Sequence, residues 1–303
     1  LFAKETINRL EIDLTASCNA RCPICARNYK NLQVRYNERS LDEIKAQLDE
    51  FINLKFIHLV GAFSEPTLYK QFFDLCHYLV SRKIAIEICT NGDTHDVHWW
   101  SKLGTILTER DSVYFSVCGS TQELHETYRV GCSLENLLNN ARALRESNPY
   151  GIDYIQHIEF EYNKKDLESE RMKEIMAEFS HINLTLTYFT RDKSIYRNPF
   201  NVDKLLVSDE YLVKYEAADK FSRAKWENRH IQKCEMDCQS IEDRSVHIDQ
   251  FGKIYPCYIW LEESLQSEWN GSYQDIRDFK YECCRFCEKN TKKLLNMWGC
   301  ELL

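Results

Sequence analysis

The feature that most constrains this chain is an alternation. Six short β-rich runs, at 8–14, 56–60, 84–90, 112–117, 154–162 and 184–188, are separated by stretches of helical apolar spacing at 41–54, 67–81, 95–107, 134–145 and 166–179. Repetition of this kind predicts a parallel sheet, because parallel neighbours need a crossover and a helix is the usual one. In such sheets ligands lie outside the carboxyl ends of the strands, where loop residues converge. With 303 residues, 44% of them hydrophobic, the chain is long enough for one large α/β domain and a small appendage.

The loop after the first run reads Ser17-Cys-Asn-Ala-Arg-Cys-Pro-Ile-Cys25, which spaces Cys18, Cys22 and Cys25 as C-x3-C-x2-C. Three close thiolates are one short of the four-cysteine iron–sulfur ligand set, and an iron left open by the protein can bind and activate something else. Zinc, or buried free thiols, are the alternatives. Zinc normally takes four ligands from paired knuckles, and no partner pair lies nearby, so ligand softness and number favour iron–sulfur. The chain carries 14 cysteines, clustered by motif, and begins without an apolar targeting core. Metal binding is therefore expected rather than a disulfide framework, in a cytoplasmic protein. No apolar run approaches membrane-spanning length, so no membrane partner is expected. A formal charge of −8 argues against nonspecific binding to a phosphate backbone, and nucleic acid is not an expected partner.

Cysteines at this spacing, directly after a strand-like segment, resemble the signature of the radical S-adenosylmethionine (radical SAM) superfamily. The resemblance implies a partial (β/α)6 barrel in which Cys18, Cys22 and Cys25 hold a 4Fe–4S cluster. The open iron would chelate the methionine end of SAM, and one electron would split the sulfonium to a 5′-deoxyadenosyl radical that abstracts a substrate hydrogen. A flavodoxin- or ferredoxin-like electron donor is implied as a partner. Further segments are similar to the family's SAM contacts. Gly61 to Leu68, with Glu65-Pro66, resembles the Gly-Gly-Glu region, although Ala62, Phe63 and Ser64 stand where glycines are commoner. Thr90-Asn91-Gly92 matches a frequent turn. Ser116-Val-Cys118-Gly119 resembles Ser-x-Asp-Gly, with Ser116 at the ribose and Cys118 in place of the aspartate. His125 to Gly131 resembles the segment whose arginine pairs with the SAM carboxylate, a task that suits the guanidinium of Arg129. Asn163, at the end of the fifth run, is a further SAM-contact candidate. Cys118 has two readings: a packed apolar side chain, or a thiol that returns a hydrogen atom to a substrate radical and inverts its centre. The fifth run alternates polar and apolar residues, so one face is polar and can line a substrate cavity; its His157 reads as structural. Cys76 and Cys89 read as core packing.

Beyond about residue 190 the alternation stops. Alternation over 244–249, a turn at 250–252 and a run at 253–255 predict a hairpin, and Cys283-Cys284-Arg-Phe-Cys287 follows. This arrangement resembles the twitch domain, the shortened form of the SPASM extension. Cys238, Cys257, Cys284 and Cys287 are the implied ligands of one auxiliary 4Fe–4S cluster, with Cys234 and Cys283 as neighbouring alternatives. A full SPASM pair of clusters would need about seven ligands, which Cys234, Cys283 and Cys300 make arithmetically possible; structural zinc in the same sites also stays open. The expected organisation is a radical SAM core at 1–190, a connector at 191–230 and a twitch-like domain at 231–303. The leading substrate is a ribosomally made peptide, modified by oxidation, crosslinking or epimerisation. A small carbohydrate or aminoglycoside alcohol, dehydrogenated by a twitch-type enzyme, is the alternative. A noncatalytic iron–sulfur or zinc protein is the third.

Overall fold

A computed structural model describes residues 4–28, 36–61, 64–179, 181–185, 202–205, 245–252 and 254–255. Among the described residues eight strands form one sheet: β1 Arg9–Ile12, β2 Phe56–Leu59, β3 Ala85–Thr90, β4 Ser112–Ser116, β5 Asp153–Ile158, β6 His181–Thr185, β7 Ser245–Ile248 and β8 Ile254–Tyr255. Their spatial order is β6-β5-β4-β3-β2-β1-β7-β8. Every neighbouring pair is parallel except the β7–β8 hairpin. The six expected core strands thus pair side by side in chain order, as a right-handed succession of crossovers requires.

Two of those strands differ in extent. β5 stops at Ile158 rather than 162, because the chain turns there and Asn163 Oδ1 accepts the Phe160 N–H at 2.6 Å. Glu159 and Glu161 therefore lie beyond the strand. β6 begins at His181 and not at 184, in register with β5 from Tyr154 to Ile158. The hairpin expected within a separate C-terminal unit instead extends the main sheet: β7 pairs with β1 from Arg9↔Ser245 to Ile12↔Ile248. This covers an edge that β1 would otherwise leave open.

The crossover helices are α1 Leu41–Asp49, α2 Phe72–Ser81, α3 Val97–Ile106, α4 Gln122–Tyr128, α5 Leu134–Ser147 and α6 Glu170–Glu178. Ser40 caps α1 in a reciprocal capping box with Glu43. Asp96, Thr121, Ser133 and Ser169 accept the usual N-terminal N–H groups of α3 to α6. The stretch at 67–81 divides into a 3-10 turn over Pro66–Leu68 and then α2. α4 has no counterpart in the sequence reading, although Thr121 is a fair capping signal for it. Gly104 lets α3 and α5 touch: a Cβ there would run into Ser147 Oγ and meet the Leu144 carbonyl at 2.7 Å.

The two faces of the sheet differ chemically. Leu10, Ile12, Ile57, Leu59, Ile86, Ile88, Val113, Phe115 and Ile155 are buried with the helices in one apolar core. The alternate positions Arg9, Glu11, His58, Glu87, Cys89, Tyr114, Tyr154 and Gln156 are half-buried on the opposite face. Parallel strands are usually apolar on both faces; here one face is polar along several strands, not β5 alone. Cys76 is sealed in the core as expected. Cys89 is not core packing: it lies on the polar face with Sγ 3.2 Å from His58 Nε2, because β3 alternates and Ile88 takes the core side.

Candidate functional site

The cysteine loop leaves the carboxyl end of β1 and is pinned from three neighbouring connections. Glu65 N–H donates to the Ser17 carbonyl at 2.8 Å, and Arg21 N–H donates to the Val130 carbonyl at 2.9 Å. Asn91 Nδ2 donates to Asn19 Oδ1 at 2.8 Å, while Asn19 Nδ2 donates to the Asp93 carbonyl at 2.9 Å. Within the loop, Cys25 N–H bonds the Cys22 carbonyl, and so does Asn28 Nδ2, at 2.7 Å. Cys22 is buried and Cys18 and Cys25 are half-buried. As free thiols Cys18 and Cys25 are hard to ionise. Burial, then the Glu65 carboxylate and Cys22, pushes Cys18 up to about 11; burial, then Cys22, pushes Cys25 up to about 12. A bound metal deprotonates a coordinating thiol outright, so that cost falls on metal binding. Among the described residues no group of three or more His, Cys, Asp or Glu side chains is gathered closely enough to hold a metal ion.

The sequence-predicted residues converge on this end of the sheet, in different roles. Arg129 follows α4 and sets Nη1 3.6 Å from Cys22 Sγ, with its guanidinium 5.2 Å from the Tyr128 ring centre. Its Nε is buried with no hydrogen-bond partner among the described residues, as expected of a group that awaits an acidic ligand. Ser116 Oγ, at the end of β4, donates to Gln156 Oε1 at 3.4 Å.

Glu65 is buried and fully engaged. Its Oε1 accepts from Thr67 Oγ1 at 2.8 Å and Thr90 Oγ1 at 2.7 Å, and its Oε2 accepts the Asn91 N–H at 2.8 Å. It ties the ends of β2 and β3 to the cysteine loop. Burial raises its pKa against the pull of those donors. Asn163 is likewise spent on the protein: Nδ2 donates to the Cys118 carbonyl at 3.0 Å and to the Ile158 carbonyl at 2.9 Å. Cys118 is sealed among Cys22, Tyr128 and Ile158. Gly92, at φ +71°, makes the Thr-Asn-Gly turn; a Cβ there would meet Leu137 and Phe115 below 3 Å.

Sequence reasoning missed two groups here. His125 Nδ1 accepts the Cys118 N–H at 3.2 Å, and burial, then Arg129, lowers its pKa to about 3, so the ring is neutral. Its spacing four residues before Arg129 on α4 was the available signal. The second is a row across the polar face: His247, Glu11, His58 and Glu87 are consecutive register partners on β7, β1, β2 and β3. Arg9 Nη1 closes on Glu87 Oε2 at 2.6 Å. His157 turns the other way, buried, with Nδ1 2.9 Å from the Val117 carbonyl oxygen. Cys238, Cys257, Cys284 and Cys287, with Cys234, Cys283 and Cys300, lie outside the described residues.

Residues 12–168 match the profile of the Radical SAM superfamily. Among curated proteins, the tungsten-containing aldehyde ferredoxin oxidoreductase cofactor-modifying protein of Pyrococcus furiosus is 28% identical over 109 residues, 36% of this chain and 30% of that protein. Among solved structures, Streptococcus suis SuiB bound to its precursor peptide SuiA superposes with a TM-score of 0.56 at 14% identity, over 85% of this chain and 61% of that one. The protein anSMEcpe, with bound AdoMet and the Kp18Cys peptide, gives 0.55 at 16% identity, over 86% and 78%. The chain thus spans less than two thirds of the Pyrococcus protein and of SuiB.

Proposed function

The chain belongs to the radical SAM superfamily, and from that premise we propose that this enzyme cleaves SAM reductively and abstracts a hydrogen atom from a peptide substrate. When bound, the cluster and SAM would supply the electron transfer and the carbon radical that such chemistry uses. Cys18, Cys22 and Cys25 would hold the cluster. Arg129 would pair with the SAM carboxylate, using the buried Nε that no group among the described residues satisfies. That unpartnered Nε, on a guanidinium whose Nη1 is set against Cys22, is the observation that carries the reading. Ser116 would meet the ribose. Glu65 and Asn163 hold the strand ends in register, so their part is to position the loop. The polar face beneath would receive and orient the substrate, and its closure against water would protect a radical from quenching.

The peptide substrate is supported by the peptide-bound relatives of the same fold, SuiB and anSMEcpe. The Pyrococcus relative, a cofactor-modifying protein, favours a second reading in which the substrate is a small molecule. A C-terminal twitch-like domain with one auxiliary 4Fe–4S cluster on Cys238, Cys257, Cys284 and Cys287 remains part of the proposal, as does a flavodoxin- or ferredoxin-like donor. Anaerobic reconstitution with iron and sulfide, then SAM and dithionite, tests the core claim: 5′-deoxyadenosine is the expected product, and its absence from an iron-loaded protein would sink the reading.

A further inference from the structure

The connection that carries the first three cysteines is closed at its base. Thr15 and Glu38 form an antiparallel bridge, and Arg27 Nη1, just past Cys25, donates back to the Ala16 carbonyl at 2.5 Å. A single bridge does not offset the entropy of closing a connection of this length. Further hold comes from the β7–β8 hairpin, which grips both stems. On the entering stem, Asp13 donates its N–H to the Ile248 carbonyl, and its Oδ2 pairs with His247 Nε2 at 3.0 Å. On the leaving stem, Asn37 Nδ2 donates to the Gln250 carbonyl at 2.7 Å. Gln47 Nε2, on α1, donates to the Gly252 carbonyl at 2.8 Å. The Arg39 guanidinium lies against Gly252, where φ is +79° and a Cβ would stand 3.0 Å from Arg39 Cζ. A hairpin tip is ordinarily solvated. Here Asp249 and Gln250 are only 2% and 3% exposed, so the tip is docked.

From these contacts we propose that the hairpin is the clasp of the cysteine loop. Asp13, Asn37 and His247 are positioning residues that set Cys18, Cys22 and Cys25, and the triplet becomes competent for metal only after residues 245–252 have docked. The proposal rests on the reading above for what the triplet holds, and adds what keeps it in shape and when. The docking is selective because it is charged. Asp13 is buried, and its Oδ1 has no hydrogen-bond partner among the described residues. His247 is thus the group that compensates a carboxylate taken out of water, and another strand seated beside β1 would leave that carboxylate alone. The order of events follows from the chain. Asn37 and Gln250 are 213 residues apart, and Asp13 and His247 are 234 apart. Contacts of such separation form late, because the intervening chain must be ordered before they reward it. The stems therefore exist well before their clasp, and metal loading follows the arrival of the hairpin.

Thiol labelling of the full-length apoprotein tests this without any activity. Maleimide followed by peptide mass mapping gives a rate for each cysteine. His247→Ala opens the clasp at its charged end but lowers global stability too, so variants of Asn37 decide. Asn37→Ala should speed labelling of Cys18, Cys22 and Cys25 about fivefold or more, the effect of one part-buried hydrogen bond on a local opening. Asn37→Asp, of the same size but with no N–H to give, should do the same, whereas Asn37→Gln should recover most of the protection. Cys76, sealed in the core, should keep its wild-type rate in all three. Gly104→Ala, which strains the fold elsewhere, should leave the triplet at its wild-type rate. Unchanged triplet rates in both Asn37→Ala and Asn37→Asp overturn the clasp, and so does a triplet that speeds up only in step with Cys76. After reconstitution, Asn37→Ala should lose iron to a chelator faster than wild type; equal loss overturns the claim that the clasp serves the metal. A wild type that takes up no iron removes the cluster reading instead, and the apoprotein rates still decide the clasp.

Discussion

His247 Nε2 lies 3.0 Å from Asp13 Oδ2, which fastens the β7 hairpin to the strand that leads into the cysteine loop. Both side chains are fully buried, and His247 Nδ1 faces Glu11 Oε1 at 3.7 Å. Burial alone would lower the His247 pKa, but its hydrogen bonds and charge contacts with Asp13 and Glu11 raise it to about 10. The buried ring therefore carries charge, paired on one side and flanked on the other. Asp13 N–H also donates to the Ile248 carbonyl at 2.8 Å, so backbone and side chain hold the same joint.

Removing one partner of a buried pair leaves the other uncompensated, so His247→Ala should lower unfolding stability by about 3–5 kcal/mol. Urea titration measures this. A double cycle with Asp13→Asn should show coupling of about 1 kcal/mol or more; additive effects would mean that the pair does not interact.

Stability should also depend on pH in a definite direction. The folded-state value of His247, about 10, exceeds the ordinary 6.5, so its contribution is complete below about 6.5 and is lost as pH rises through 10. Burial lifts the Glu11 carboxyl, but the His247 hydrogen bond and charge outweigh it and hold the group below its ordinary 4.5. That contribution is present above 4.5 and fades as pH falls through the lowered value. The urea midpoint of wild type should therefore fall between pH 7 and 10, and that of His247→Ala should fall much less over the same range.

Arg129→Lys should weaken SAM binding about tenfold or more, because a point charge cannot reproduce the planar fork. Equilibrium dialysis with the reconstituted protein reads it directly. Unchanged affinity with a normal iron content would assign Arg129 to packing against Tyr128.

The two cysteine sets should separate by iron content. Wild type should hold about eight irons per chain, two clusters of four. Ala at Cys18, Cys22 and Cys25 should abolish 5′-deoxyadenosine and leave about four irons. Ser at Cys238, Cys257, Cys284 and Cys287 should also leave about four, with SAM cleavage retained. Stoichiometric zinc in place of the second set would favour a structural metal.

Far from the site, Gly104→Ala should destabilise by about 1–3 kcal/mol, since its Cβ would enter the space of Ser147 and Leu144. Thermal melts read the loss, and 5′-deoxyadenosine formation at low temperature should be unaffected. A neutral result would show that α3 and α5 can part without strain.

Local pattern determined much of this protein. Periods of two and of 3.6 residues located six strands and five of the six crossover helices, because burial of one face is written residue by residue. The spacing of Cys18, Cys22 and Cys25 was equally legible, since three ligands on one short loop need no distant partner. α4 escaped, being seven residues long and too short for a period to register. What the tertiary structure decided depends on residues far apart in the chain. Glu65 and Asn163, read as ligand contacts, spend their hydrogen bonds on Thr67, Thr90, Asn91, Cys118 and Ile158, and only the fold says which donors stand near. Cys89 and Cys118 look alike as strand-end cysteines, yet one faces His58 on the polar side while the other is enclosed. The β7 hairpin follows β1 by more than two hundred residues and still pairs with it. Sheet register is a long-range choice: it is settled by the edge that needs covering and by a buried charge that needs Asp13, and neither is a property of the hairpin's own sequence.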